Sequence, residues 1–259
     1  MITIKEYTNQ VCYIEIDRPD KKNALDKSTI EKLIEFFETS ANSVEFNVLV
    51  LSGSNGFFSA GADLAWMKEG MLQSDERNLA DAQLFNELYH TMYCYPKPII
   101  AKVEGGAYGG AIGLMACADV VITSPDALFK FSETALGLIP ATVAPYIVNK
   151  IGSGNARYLL VSGSQFDGES ALRYGLAQIL VPSDKLESTT RKTAEQMAAL
   201  GPVSVTKTKE LLNYLDRKAF DISKETKDYC ASLISTARKS DESQERVSSF
   251  FNKNKSNND

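Results

Sequence analysis

Three stretches of the sequence carry residues that could do chemistry on a carbonyl compound. In "FKFSETALGLIPA", Glu133 ends a short aromatic run and is followed by Ala135, Leu136, Leu138 and Ile139. A carboxylate in apolar surroundings has a raised pKa, which suits proton transfer near neutral pH. The same glutamate, at a strand-to-loop junction beside Ser132, could instead cap a helix or pair with a cation. In "VEGGAYGGAIGLMACAD", five glycines fall between Gly105 and Gly113. A strand here meets a helix of small apolar residues. The first turn of that helix leaves backbone N–H groups without partners, and glycines at 109 and 110 let a ligand atom approach them. The positive end of the helix dipole adds to this, so a developing oxyanion would be held well. "FFSAGADLAWM" is a second turn of the same kind, with Ser59, Ala60, Gly61 and Ala62 after a buried strand. Two such turns could aim two N–H groups at one oxygen. Tight helix packing, or a plain loop, explains either turn taken alone.

Other chemistries fit poorly. Gly105 and Gly110 have the spacing of a phosphate loop, but Ala111 and Ile112 follow in place of Lys and Ser/Thr, and no GxGxxG triplet lies in the stretch. The chain has one histidine and four cysteines, Cys12, Cys94, Cys117 and Cys230, with no CxxC pair, so no metal site is expected. The cysteines read as reduced thiols of a cytoplasmic protein. His90, in "LFNELYHTMYCYP", reads as a helix-surface residue, and no GxSxG motif supplies a nucleophile. Trp66, the only tryptophan, could be core or could line a pocket. A net charge of −5 argues against nucleic acid as the main partner. No apolar run approaches the roughly 18 residues of a membrane span, and the charged N-terminus does not resemble a signal or transit peptide.

These residues need a scaffold of buried strands. "ITIKEY" and "VCYIEIDRP" predict a hairpin turning at Thr8-Asn9-Gln10, followed by a polar turn with lysines at its tip, "DRPDKKNAL". "DKSTIEKLIEFFETSAN" repeats apolar residues at helical spacing, capped by Asp26 or Ser28. "FNVLVLSG" and "IIAKVEG" are apolar strands, the first buried on both faces. A polar segment becomes helical by Asn78 and stops at Pro96 and Pro98. "VVITS" and "LFKFSE" are short strands, and helices dominate afterwards. The 259 residues therefore divide into an α/β core, 1–201, and a helical C-terminal region, 202–259, with Pro202 at the boundary.

Taken together, the motifs resemble the crotonase (enoyl-CoA hydratase/isomerase) superfamily over essentially the whole chain. "IDRPDKKNALD" is similar to the family's Arg-Pro…Asn-Ala-Leu turn. "FFSAGADLAWM" and "VEGGAYGGAIGLMACADVVI" resemble its two oxyanion-hole segments, and "FSETALGLIPA" its segment with the catalytic glutamate. The resemblance implies an α/β fold, a spiral of ββα units with a C-terminal helical region, assembled as a homotrimer or a hexamer of paired trimers. It implies Glu133 as the acid–base group and the backbone N–H groups of Ala62 and Gly110 as oxyanion donors. Coenzyme A would enter as part of the substrate, with no separate cofactor or metal. It would meet Ala24, Ala60, Asp63, Leu64, Trp66 and Gly109. Lys21, Lys22, Phe250 and Lys253 would lie toward the phosphates, the last two from a neighbouring region or subunit.

One position departs from the pattern. Many hydratases of the family carry a second glutamate that would fall at Gly113. A lone glutamate at 133 resembles the isomerases. However, "AGADLAWM", "NLADA" and "SETALGLIPATVAPYIV" are most similar to bacterial methylglutaconyl-CoA hydratases and related branched-acyl hydratases. Gly113 would make room and remove a charge, which suits an acyl group with its own distal carboxylate. The expected activity is hydration or dehydration at C2–C3 of a branched or dicarboxylic enoyl-CoA. Alternatives are a Δ3,Δ2-enoyl-CoA isomerase, a polyketide-pathway dehydratase or decarboxylase, and a noncatalytic acyl-CoA- or RNA-binding scaffold.

Overall fold

The computed structural model describes residues 1–70, 74–217 and 241. The chain opens with the antiparallel pair β1 (Ile2–Thr8) and β2 (Val11–Ile16), turning through Asn9 and Gln10 at positive φ. Helix α1 (Lys27–Ser40) follows, and the Asp26 carboxylate caps it by accepting from the Thr29 N–H at 2.8 Å. Its buried side, Ile30, Leu33, Ile34, Phe36 and Phe37, is the apolar stripe read from the sequence.

From there the chain repeats one pattern. A strand in a six-stranded sheet is followed by a short strand or bridge in a second sheet, and then by a helix. β3 (Val48–Gly53) leads to an isolated bridge at Ser59, then α2 (Leu64–Gly70) and α3 (Asp75–Tyr93). β4 (Ile99–Val103) leads to β5 (Gly106–Tyr108) and α4 (Gly110–Cys117). β6 (Val120–Thr123) leads to β7 (Leu128–Lys130) and α5 (Ala144–Ser162). β8 (Phe166–Asp167), α6 (Gly168–Tyr174), β9 (Ile179–Leu180), α7 (Leu186–Ala198) and α8 (Pro202–Arg217) complete the order. The large sheet runs β1-β2-β3-β4-β6-β9, parallel after its first pair. The small one runs β5-β7-β8. This is the repeating ββα spiral with helices at its C-terminal end.

The large sheet is covered on both faces. Leu49 and Leu51 of β3 point into the main core with α1, α3 and α4, while Val48 and Val50 pack with Ile100 and Ile122 against Leu186, Ala194 and Ala198 of α7. Double burial explains why these strands read as continuous apolar runs.

Two elements differ from the sequence expectation. The glycine-rich stretch does not pass directly from β4 into a helix. Gly105 and Gly106, both at positive φ, turn the chain into β5 first. A Cβ on Gly106 would stand 2.1 Å from the Leu128 carbonyl oxygen, so only glycine fits this pairing. The strand expected through "LFKFSE" ends at Lys130 and releases Ser132 and Glu133 into a 3-10 turn. Helix α5 itself is broken at Gly152, whose φ is 76°. Among the described residues no helix is long and apolar enough to cross a membrane.

Candidate active site

The two glycine turns converge. Asn23, fully buried, donates to the carbonyls of Ser54 (2.8 Å) and Phe57 (2.6 Å) and accepts from the Arg18 N–H (2.9 Å). This ties the lysine-tipped turn to the chain after β3. The two strands of chain then zip together: Ala60 N–H to Lys22 C=O, Leu25 N–H to Gly61 C=O, and Asp63 N–H to Leu25 C=O, at 2.9, 2.7 and 2.9 Å. Ala62 lies between the last two bonds, and its own N–H has no partner among the described residues. Asp63 is buried and caps α2 through the Ala65 N–H (2.9 Å), while its other oxygen takes Arg18 Nη2 at 2.9 Å. Burial alone would raise the Asp63 pKa, but Arg18 and the backbone donors of Ala65 and Trp66 hold it below the ordinary value.

Gly61 docks this turn against the second one. A Cβ on it would stand 2.3 Å from the Tyr108 carbonyl oxygen and 3.3 Å from the Gly110 nitrogen. Gly109, at φ 49°, caps α4, and the Gly110 N–H opens the helix without a partner among the described residues. The unpaired amides of Ala62 and Gly110 thus line one cavity of about 700 Å³.

Glu133 lines the same cavity. A Cβ on Gly109 would lie 3.3 Å from Glu133 Oε1 and 3.1 Å from Ser132 Oγ. Oε2 is buried and has no hydrogen-bond partner among the described residues. Burial pushes the Glu133 pKa up, against a smaller pull from the backbone N–H groups of Glu133 and Ser132. Among the described residues no cation holds the carboxylate in its charged form. The arrangement can therefore bind an oxyanion at two amides and move a proton at one carboxyl group.

The lining also includes Lys22, Ala24, Ala60, Asp63, Leu64 and Gly109 among the residues named from the sequence. Trp66 does not line it. Its ring stacks on Phe85 at 5.8 Å and packs on the main core. Phe250 and Lys253 lie outside the described residues. His90 is exposed on α3. Among the described residues no three His, Cys, Asp or Glu side chains group in a way that could hold a metal ion.

One expectation is corrected. Gly113 makes no room in the cavity. A Cβ there would meet the Tyr89 ring at 2.6 Å and Val143 Cγ2 at 2.7 Å, so the space is already filled. Tyr89 is fully buried and its hydroxyl donates to the Gly110 carbonyl at 2.8 Å. Sequence reading also passed over Lys130 and Gln165, both of which line the cavity. For Lys130 a signal existed: in "LFKF" the alternation that buries Phe129 turns Lys130 to the opposite face.

The enoyl-CoA hydratase/isomerase family model matches residues 6–258. A crystal structure from Legionella pneumophila under the same family description is 37% identical, with a TM-score of 0.90 and coverage of 97% of this chain and 96% of that one. An enoyl-CoA hydratase from Shewanella pealeana is 33% identical, with a TM-score of 0.90 and coverage of 97% and 92%. The 2,3-dehydroadipyl-CoA hydratase of Escherichia coli is 29% identical over 78% of each chain. The chain belongs to the enoyl-CoA hydratase/isomerase (crotonase) superfamily and is an acyl-CoA enzyme of it, classed with the carbon–oxygen lyases.

Proposed function

We propose that the protein adds water to, or removes it from, the C2–C3 bond of a branched or dicarboxylic enoyl-CoA such as methylglutaconyl-CoA. The observation that carries this reading is that Glu133, whose buried Oε2 has no partner among the described residues, lines one cavity with the Ala62 and Gly110 N–H groups, which also lack one there. The thioester oxygen sits between the Ala62 and Gly110 amides, each worth roughly 2.7–4 kcal/mol as enolate charge develops. Glu133 takes a proton from water as its oxygen bonds to C3, and the C2–C3 π electrons move toward the thioester oxygen. Asp63, the other carboxylate lining the cavity, is committed to Arg18 and to capping α2. Glu133 therefore also returns the proton to C2 as the enolate collapses. The Escherichia coli relative, by name a hydratase of a dicarboxylic acyl-CoA, supports the substrate class.

In this reading Ala24, Ala60, Leu64 and Gly109 contact the pantetheine and adenine, and Lys22 faces the phosphates. Residues 1–201 form the catalytic core and 202–259 a separate C-terminal region, of which α8 is described and 218–240 and 242–259 lie outside the described residues. The chain sits within a cytoplasmic trimer or hexamer whose mass light scattering would give. The single glutamate also fits a Δ3,Δ2-enoyl-CoA isomerase. The test is to assay 2-enoyl-CoA hydration and 3-enoyl-CoA isomerisation in parallel, with wild type and Glu133→Gln. Hydration should dominate in the wild type and drop about 10²- to 10⁴-fold in the variant. Near-full activity of Glu133→Gln, or isomerisation alone, rejects the scheme.

A further inference from the structure

The small sheet sets a row of polar side chains across the face it turns to the cavity. Tyr108 on β5 is in register with Lys130 on β7. The antiparallel pairs Leu128–Asp167 and Phe129–Phe166 bring Gln165, just before β8, opposite Lys130. Ala107, Phe129 and Phe166, one step along each chain, are buried on the other face. All three polar residues line the cavity, and none has a side-chain hydrogen bond or ion pair among the described residues. Other partly buried cations are used differently: Arg18, Lys102 and Lys209 each meet a carboxylate. Lys130 offers an ammonium group, Tyr108 a phenolic O–H and Gln165 an amide N–H₂, three donors facing one space.

The row adjoins the reacting end of the site. The Lys130 carbonyl accepts from the Gly109 N–H at 2.9 Å, and Glu133 follows three residues later. Three residues span at most roughly 11 Å of chain. The phosphates of coenzyme A are separated from the thioester by the whole pantetheine arm, and Lys21 and Lys22 already stand on the wall beside Ala24 and Ala60.

We propose that Lys130, flanked by Tyr108 and Gln165, binds the free carboxylate of an acyl group that ends in one, and so selects dicarboxylic mono-thioesters of coenzyme A. The inference rests on the acyl-CoA hydratase reading above and names the residue behind its substrate class. Equilibrium binding tests it without turnover. Calorimetry would compare glutaryl-CoA with pentanoyl-CoA, which have equal acyl length and differ in the terminal carboxylate. The wild type should prefer glutaryl-CoA about tenfold or more, as a charge-assisted hydrogen bond allows. In Lys130→Met that preference should fall to near one, and Lys130→Arg should restore most of it. Equal weakening of both esters in Lys130→Met would assign the lysine to the coenzyme phosphates and overturn the proposal. An unchanged preference would overturn it as well. A wild type that shows the preference but hydrates neither glutaconyl-CoA nor crotonyl-CoA would refute the hydratase reading while leaving the carboxylate site standing.

Discussion

Glu133 shows how one carboxyl group can be tuned by its position alone. It leaves the end of β7 on a 3-10 turn, so its side chain returns over Gly109 and one oxygen loses contact with water. Its raised pKa follows from that burial, and two consequences can be measured. Both directions start from the carboxylate, which takes a proton from water in hydration and from C2 in dehydration. The hydration and dehydration rates should therefore both fall as pH drops through the raised value. This limb should be absent in whatever activity Glu133→Gln retains. The same shift affects stability. A carboxyl group whose folded pKa lies above its ordinary value near 4.5 contributes stability that is fully present below that value. The contribution is lost as pH rises through the folded pKa. Glu133→Gln should thus melt higher than wild type at pH 8, by about 2–4 °C for on the order of 1 kcal/mol. At pH 4 the two should melt together. An equal difference at both pH values would show that the charge on Glu133 is not what costs stability.

At the level of elements, the site is made where two turns from different repeats touch, and Gly61 is the contact. Its φ of 82° and its approach to the Tyr108 carbonyl leave no space for a methyl group. Gly61→Ala should separate the Ala62 and Gly110 amides and lower kcat by about 10²-fold or more, comparable to losing one oxyanion donor. Because binding draws on many other contacts, KM should change far less. Loss of both parameters together would mean the turn had collapsed. The sequence made part of this legible. Doubly buried strands, the α1 stripe and the small residues of α4 follow from patterning, and the family motifs singled out Glu133, Ala62 and Gly110, which line one cavity. What it did not make legible depends on contacts distant in the chain. Tyr89 lies 24 residues before Gly113, yet its ring occupies the volume that Gly113 seemed to free. Asn23 looked like one more polar turn residue, but its two carbonyl acceptors belong to the chain after β3. The short β5 was hidden because glycines score poorly as strand residues, although only glycine allows that approach to Leu128.

At the scale of the whole molecule, α8 binds the spiral together. Lys209 Nζ donates to the Asp119 carboxylate at 2.6 Å and to the Lys97 carbonyl at 3.1 Å, and Asp119 in turn accepts from the Ile99 N–H at 2.7 Å. One lysine thus joins α8 to the start of β4 and to the chain between α4 and β6. Further along α8, Asp216 accepts from the Tyr93 hydroxyl at 2.8 Å and from Asn149 at 3.1 Å, which adds α3 and α5. The Lys209 side chain is nearly buried and Asp119 is about one-third exposed, so the pair lies between a surface and a core salt bridge. Lys209→Met should cost about 2–3 kcal/mol, below the range for fully buried pairs because water still reaches Asp119. In a domain of this size that is a fall of roughly 5–10 °C in melting temperature. Lys209→Arg keeps the charge and should recover much of the loss. Since Lys209 lines no part of the cavity, kcat measured well below the melting transition should stay near wild type in both variants. A strong loss of kcat in Lys209→Met at low temperature would mean that α8 helps to hold the geometry of the Glu133 site, and would refute the view that it only fastens the fold.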